Sequence, residues 1–356
     1  MQADLIQPPT HLPSETPLCP VFGACGGCAY QDLTYSEELK KKSGELTKFM
    51  AAELGISSDR FDSIVASPEP YHYRHRLDIT MKRTKSEGIL FGFQHAGLRR
   101  MIEIEACPIA RKEVSDFLPE LRKIATEKLP FKYRTANLVV RTSDDGRVLW
   151  GGIGRRSLSL MPGDYFFTEI EGKRIYFSLD TFFQANLGIL PLLMKKIESL
   201  VPFTKQTVFY DLYAGVGLFG IFFADKISQL VMIEDSPSSV ELLRYNLRQH
   251  HIDHALVLQG KVEEELPRLA SNFGNQPHVA IIDPPRDGMK LPAAEALAQM
   301  KHLSNLLYLS CSPASLVRDL KVFLTAGWEV EKVVPFDFFP RTAHLETLVL
   351  LKPQVL

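Results

Sequence analysis

The chain has 356 residues, 45% of them hydrophobic and 23% charged, with a formal net charge of −1. This is an ordinary globular composition and excludes a disordered, collagen-like or coiled-coil chain. At roughly 150 residues per domain, the length holds about two domains and a small appendage. No apolar run approaches the length of a bilayer span. The N-terminus has no basic segment leading into an apolar one. A cytoplasmic monomer with no membrane partner is therefore expected.

Residues 1–18 carry Pro8, Pro9, Pro13 and Pro17 and read as an extended lead-in to a Gly- and Cys-rich loop at 19–32. Together, 1–33 form a lead-in and cysteine loop. Residues 34–62 form a helical segment, with Leu39, Leu46, Phe49 and Met50 as a partial apolar stripe over 34–54. It is expected to pack on the C-terminal domain. Residues 63–185 read as a strand-rich α+β domain. The β-prone runs are LDITMKR, GILFGFQ, NLVVRT, RVLWGGI and RIYFSL, with one helix at 111–127. Within this domain, residues 71–100 hold seven Arg and Lys side chains, Lys85 and Arg99 among them, against Asp78 and Glu87. A chain near neutral overall can still carry such a basic face, the footprint of a nucleic-acid partner. Tyr73, Arg74 and Arg76 are candidate contacts for one, and Tyr73, Phe91 and Phe93 possible stacking platforms. A solvated strand face explains any one of them equally well.

From residue 186 to the end, short apolar runs alternate strictly with helical stretches: TVFYDLY at 207–213, QLVMIE at 229–234, ALVLQG at 255–260, HVAIID at 278–283 and NLLYLSC at 305–311. Alternation of this kind predicts an α/β, doubly wound, mostly parallel sheet. WEVEKVVPFDF and ETLVLLK, at 328–338 and 346–352, predict an antiparallel edge hairpin.

TVFYDLYAGVGLFG is a strand, a glycine turn and a helix start. Gly215 and Gly217 let the backbone turn tightly and approach a ligand. Glu234 ends the next strand, placed to bind ribose hydroxyls. The pattern Asp-x-x-x-Gly-x-Gly suits S-adenosylmethionine (SAM) better than a dinucleotide. Asp283, in IIDPPRDGM, stands on the same rim, and Cys311, in YLSCSPASL, ends the fifth strand there. The helix after Ser312–Pro313 would favour a thiolate at Cys311 through its dipole. A buried, inert cysteine is the plainer reading. His344 and Glu346, two apart in HLE, would face one way on a strand. His-x-Glu is also a zinc-deaminase feature, but no later cysteines complete that motif.

Five cysteines, three of them within ten residues, do not read as a disulfide framework in a chain without an export signal. They read as Cys19, Cys25, Cys28 and the distant Cys107, with Cys311 left over. Four such ligands can hold zinc or an iron–sulfur cluster. Three clustered ligands and one remote one are unlike paired zinc knuckles. Gly26 and Gly27 would let amides approach cluster sulfides. The spacing is not the Cys-x3-Cys-x2-Cys of radical-SAM enzymes.

DLYAGVGLFG, IIDPPRDGM, YLSCSPASLVRDL and FFPRTAHLETLVLL, in this order, resemble the RNA uracil-C5 methyltransferase family, which makes 5-methyluridine. TFFQAN at 181–186 and YRHR at 73–76 also resemble family motifs. The likeness runs from about residue 19 to the end. It implies a Rossmann-like class I SAM methyltransferase domain at 186–356 and an RNA-binding role for 63–185, which supplies Cys107. Gln184, Tyr213, Glu234 and Asp283 would bind SAM, with Gly215 and Gly217 shaping the turn. Cys311 would be the nucleophile and Glu346 the general base. The resemblance also implies a [4Fe–4S] cluster on Cys19, Cys25, Cys28 and Cys107, with a structural or RNA-binding purpose. Eighteen residues before Cys19 leave no room for the N-terminal RNA-binding barrel of some relatives. That combination points to 23S rRNA as substrate, with tRNA second. Ser312 and Ala214 depart from the family pattern, and neither removes a reacting group. Two other classes remain. An amino-group methyltransferase would want Asn-Pro-Pro-Tyr where this chain has Asp283-Pro284-Pro285-Arg286. A non-catalytic iron–sulfur RNA-binding protein would not need Cys311 and Glu346.

Overall fold

The computed structural model describes residues 14–84, 88–98, 100–128, 133–152, 161–269, 276–300 and 302–354. Lys85, Glu87 and Arg99 of the basic stretch lie outside them. Helix α1 spans Tyr35–Leu54 and begins with a reciprocal capping box between Thr34 and Glu37. Gly55, at φ 66°, ends it in the left-handed conformation. Its buried residues are Glu38, Lys42, Leu46 and Met50, a clean four-residue repeat. The expected stripe is thus corrected. Phe49 is exposed, and two charged side chains take the inward positions instead. Leu46 and Met50 share a core with Leu316 and Leu320.

Strands β1 (Arg76–Arg83), β2 (Ile89–Gln94), β3 (Met101–Glu103), β4 (Thr135–Thr142) and β5 (Val148–Gly151) form an antiparallel sheet in the order β3-β2-β1-β4-β5. Helix α2 (Lys112–Lys128) covers one face through Val114, Leu118, Leu121 and Ala125. Strands β6 (Phe166–Ile170) and β7 (Lys173–Phe177) form a separate hairpin. Its Phe166, Ile170, Ile175 and Phe177 pack into the core of the C-terminal sheet, although the sequence reading assigned them to the central domain.

The C-terminal unit runs α3 (Leu190–Leu200), β8 (Val208–Leu212), α4 (Leu218–Phe223), β9 (Gln229–Glu234), α5 (Pro237–Gln249), β10 (Ala255–Gln259), α6 (Val262–Leu269), β11 (His278–Ile282), α7 (Leu291–Ala298), β12 (Leu303–Ser310), α8 (Pro313–Thr325), β13 (Trp328–Phe336) and β14 (Glu346–Pro353). The seven strands lie in the order β10-β9-β8-β11-β12-β14-β13. The first five are parallel, and β14 runs antiparallel between β12 and β13. Residues alternate between the two faces: Phe209, Ile281 and Leu307 join one core, Tyr210, Ile282 and Tyr308 the other.

The strand order reverses between β8 and β11. Ligands of open α/β sheets bind at such a switch point, outside the carboxyl ends of the strands. The outer edge of β13 is covered by residues 61–65, through Asp62 N to Val333 O at 2.9 Å and Val65 N to Pro335 O at 2.8 Å. Among the described residues, no helix is long and apolar enough to cross a membrane.

Gly92 sits in β2 where a Cβ would overlap the carbonyl oxygen of Ile102 on β3. Gly92→Ala should destabilise the five-stranded sheet by about 1–3 kcal/mol, the usual scale of overpacking, read as a lowered denaturation midpoint in urea.

Candidate functional site

The glycine turn after β8 is built from unusual backbone. Tyr213, Gly215 and Gly217 have φ of 61°, 55° and 93°. At Gly217 a Cβ would press on Ile221 Cδ1 at 2.8 Å, so only glycine fits. Glu234 anchors the turn. Its Oε2 accepts from Gly215 N and its Oε1 from Ser236 N, both at 2.8 Å. Each carboxylate oxygen keeps a second lone pair for a ligand. Asp211, buried in β8, accepts from Gly220 N at 2.8 Å and fixes the first turn of α4. Asn246 of α5 donates to Val216 O at 2.9 Å and also bonds the Tyr176 backbone.

Asp283 follows β11 and accepts from Gln184 Nε2 at 2.7 Å. Two residues separated by 99 positions therefore meet on the rim. Burial pushes the Asp283 carboxyl up to about 7. The segment leading to Gln184 is braced by Arg141, a fully buried guanidinium that donates to the carbonyls of Ser178 and Thr181 and lies 4.7 Å from the Phe177 ring.

Cys311 follows β12 at the same rim. Ser310 pairs with Thr347, which brings Glu346, the first residue of β14, beside it. Burial pushes the Cys311 thiol up to about 11, with the Glu346 and Asp283 carboxylates adding to the rise. The Arg286 guanidinium acts the other way. This corrects the expectation of a thiolate favoured by the α8 dipole. Cys311 precedes the N-cap, and the Ser312 hydroxyl takes the Ser315 amide at 3.4 Å. Glu346 is buried, and its carboxyl is raised well above the usual range by burial and by Asp283, against Arg286. His344 does not share its face, because the strand starts only at Glu346. His344 is exposed in the preceding loop, its Nε2 3.4 Å from Arg286 Nη2. Arg286 is the site residue that the sequence reading passed over, though its place after Asp283-Pro284-Pro285 puts it on the rim.

Of the residues expected to meet RNA, the aromatic ones are drawn into the protein and the two arginines have partners within it. Tyr73 is buried and its hydroxyl donates to Pro340 O at 3.0 Å, so it is no stacking platform. Phe91 is wholly buried and Phe93 half-buried in the central core. Arg76 is tied to Asp78 at 2.8 Å and to Leu179 O, and Arg74 Nε donates to Arg76 O at 3.1 Å.

Cys19, Cys25, Cys28 and Cys107 line one cavity of about 450 Å³, together with Arg74 and Gln31. Among the described residues, no three His, Cys, Asp or Glu side chains are gathered tightly enough to hold an ion. The thiols ring an open space instead of converging on a point. The Gly27 backbone acts to lower the Cys25 thiol, the Gln31 side chain that of Cys28, and the Ile109 and Ala110 backbone that of Cys107. Burial nonetheless pushes the Cys28 thiol up to about 12.

A doubly wound sheet with a glycine turn, an acidic residue closing the next strand and reactive groups along one rim defines a methyltransferase-type catalytic unit. The crystal structure of the Pyrococcus abyssi tRNA (uracil-54, C5)-methyltransferase with S-adenosyl-L-homocysteine shares the fold, with a TM-score of 0.70 over 92% of this chain and 86% of that one at 21% identity. The family model described as tRNA (uracil-5-)-methyltransferase matches residues 168–354, more than half of the chain, and the protein belongs to that family. Two proteins described as uncharacterized RNA methyltransferases are also similar. One, from Clostridium acetobutylicum, is 26% identical over 94% of this chain and 83% of its own length. The other, from Caldanaerobacter subterraneus, is 27% identical over 94% and 84%.

The charges around Cys311 give a direct expectation. Its alkylation by iodoacetamide, followed by mass spectrometry of the peptide, should keep rising with pH beyond the range where an ordinary cysteine levels off. Glu346→Gln removes a negative neighbour and should move that profile to lower pH. Arg286→Gln removes the positive one and should move it higher.

Proposed function

We propose that the protein methylates C5 of a uridine in RNA, with SAM as methyl donor. The observation that carries this reading is the meeting of the Cys311 thiol and the Glu346 carboxyl on the cofactor rim, with Arg286 beside both. Uracil C5 is too weak a carbon nucleophile to take a methyl group unaided. Cys311, once deprotonated, adds to C6 and pushes the ring electrons onto the C4 carbonyl as an enolate, which makes C5 nucleophilic. SAM, when bound, supplies an electrophilic methyl group to that carbon. Glu346 then takes the C5 proton, the C5–C6 double bond re-forms and the Cys311 sulfur leaves. A buried carboxylate is suited to this task, since its raised basicity matches a weakly acidic carbon proton.

The cofactor cradle is consistent with SAM. The positive-φ turn at Tyr213, Gly215 and Gly217 presents bare backbone, Glu234 has acceptor capacity left for ribose hydroxyls, and Asp283 with Gln184 supplies the opposite wall. The target base must leave its stack to reach the rim, which costs a few kcal/mol and favours a single-stranded loop.

The four cysteines fit a [4Fe–4S] cluster better than zinc. A zinc ion needs all four sulfurs about 2.3 Å from one point, whereas these ring a cavity. Backbone groups near sulfur, those of Gly27 at Cys25 and of Ile109 and Ala110 at Cys107, suit cluster ligation. Because the reaction has no redox step, the cluster would hold the N-terminal segment or the RNA. This set favours 23S rRNA as the substrate, while the family's description favours tRNA.

Labelled SAM and RNA lacking 5-methyluridine, with wild type and Cys311→Ala compared and nucleosides analysed, test the reading. Label in 5-methyluridine of 23S rRNA, absent with the variant, is the expected result. Label in tRNA moves the substrate and keeps the chemistry. No label in any RNA overturns the assignment. Protein purified without oxygen should hold iron and acid-labile sulfide in equal amounts. Replacing all four ligands by serine should weaken both folding and RNA binding. A variant that folds and binds normally would rule out that role.

A further inference from the structure

The loop that delivers Glu346 to the rim, residues 337–345, is fixed by a buried charge network at the other end of the sequence. Lys42 Nζ lies 2.8 Å from Asp337 Oδ1, 2.7 Å from Glu38 Oε1 and 3.0 Å from Phe339 O. Arg341, at φ 66° and 3% exposed, is its centre. Its backbone N donates to Glu38 Oε1 at 2.7 Å, and its guanidinium to Leu33 O at 2.8 Å. Its carbonyl accepts from Ala29 N at 2.8 Å and Tyr30 N at 3.1 Å, directly after Cys28.

Two cations and two carboxylates are thus sealed together, each at most 4% exposed in the side chain. Such a network is a weak source of stability, because desolvation offsets the attraction between the charges. The left-handed backbone at a residue with a Cβ is a further cost, one that surrounding contacts must impose. The left-handed residue, Arg341, lies five positions before Glu346, in the loop that the network fixes.

We propose that Arg341, held by Glu38, is a positioning residue for Glu346 and ties that residue's loop to the cysteine-rich segment. The inference rests on the uracil-C5 reading above. In that chemistry Glu346 acts only after the methyl group is on C5. A misplaced base therefore leaves thiol addition and methyl transfer intact and stalls release. The enzyme should remain joined to methylated RNA through the Cys311 sulfur.

The test follows the covalent enzyme–RNA species on denaturing gels with labelled SAM, beside turnover and KM. Glu346→Gln sets the benchmark, with turnover lost and methylated adduct accumulating. Arg341→Ala should behave alike in kind, with KM for SAM and RNA little changed. Turnover should fall about tenfold to a hundredfold, the scale of a group misplaced by an ångström. Glu38→Gln, which keeps an acceptor for the Arg341 amide, should show a smaller accumulation. It carries the test if Arg341→Ala does not fold. Loss of adduct and turnover in step, or no change in either, overturns the positioning role while the wild type still methylates. A wild type that forms neither adduct nor 5-methyluridine overturns the underlying reading instead.

Discussion

One guanidinium governs the chemistry of the rim. Arg286 stands beside the Cys311 thiol and within the field of the Glu346 carboxyl; burial pushes both groups, and Asp283, toward their neutral forms, and the carboxylates add to the rise at Cys311. Without a nearby positive charge, the low-dielectric rim would favour none of the ionised forms. With it, the thiol and the Glu346 carboxyl each have a counter-charge on the rim.

The position of β14 makes that arrangement possible. A parallel sixth strand would have placed its carboxyl end at the rim, and a simple outer hairpin would have left β13 next to β12. Instead the last strand returns antiparallel between them, and its first residue, Glu346, arrives where β12 releases Cys311. Residues 35 positions apart in sequence become neighbours through one register pair, Ser310 with Thr347.

Much of this was legible in the chain because it depends on local signals. Runs such as HVAII and LVMIE are apolar on both faces and can only be central strands. The glycine turn, Asp283, Cys311 and Glu346 each follow from a strand end, and strand ends are readable. What escaped depends on distant partners. The inward-facing Lys42 and Glu38 look like solvent positions until Asp337 and Arg341, some 300 residues later, supply their counter-charges. Tyr73 looks like an exposed aromatic in a basic stretch until the carbonyl of Pro340 is seen to receive its hydroxyl. Arg286 was visible as a residue but not as a partner. The β6–β7 hairpin has strand propensity, but nothing local says which core it will join.

The same long reach bears on how the molecule is made. Helix α1 and residues 61–65 leave the ribosome first, yet their permanent contacts are with Asp337, Val333 and Pro335. At about 5–20 residues per second, the chain needs roughly half a minute to produce those partners. For that interval Lys42 and Glu38 have only each other and water, and the apolar residues Leu46 and Met50 have no core to enter. The amino-terminal part of the protein is therefore among the last to reach its final place.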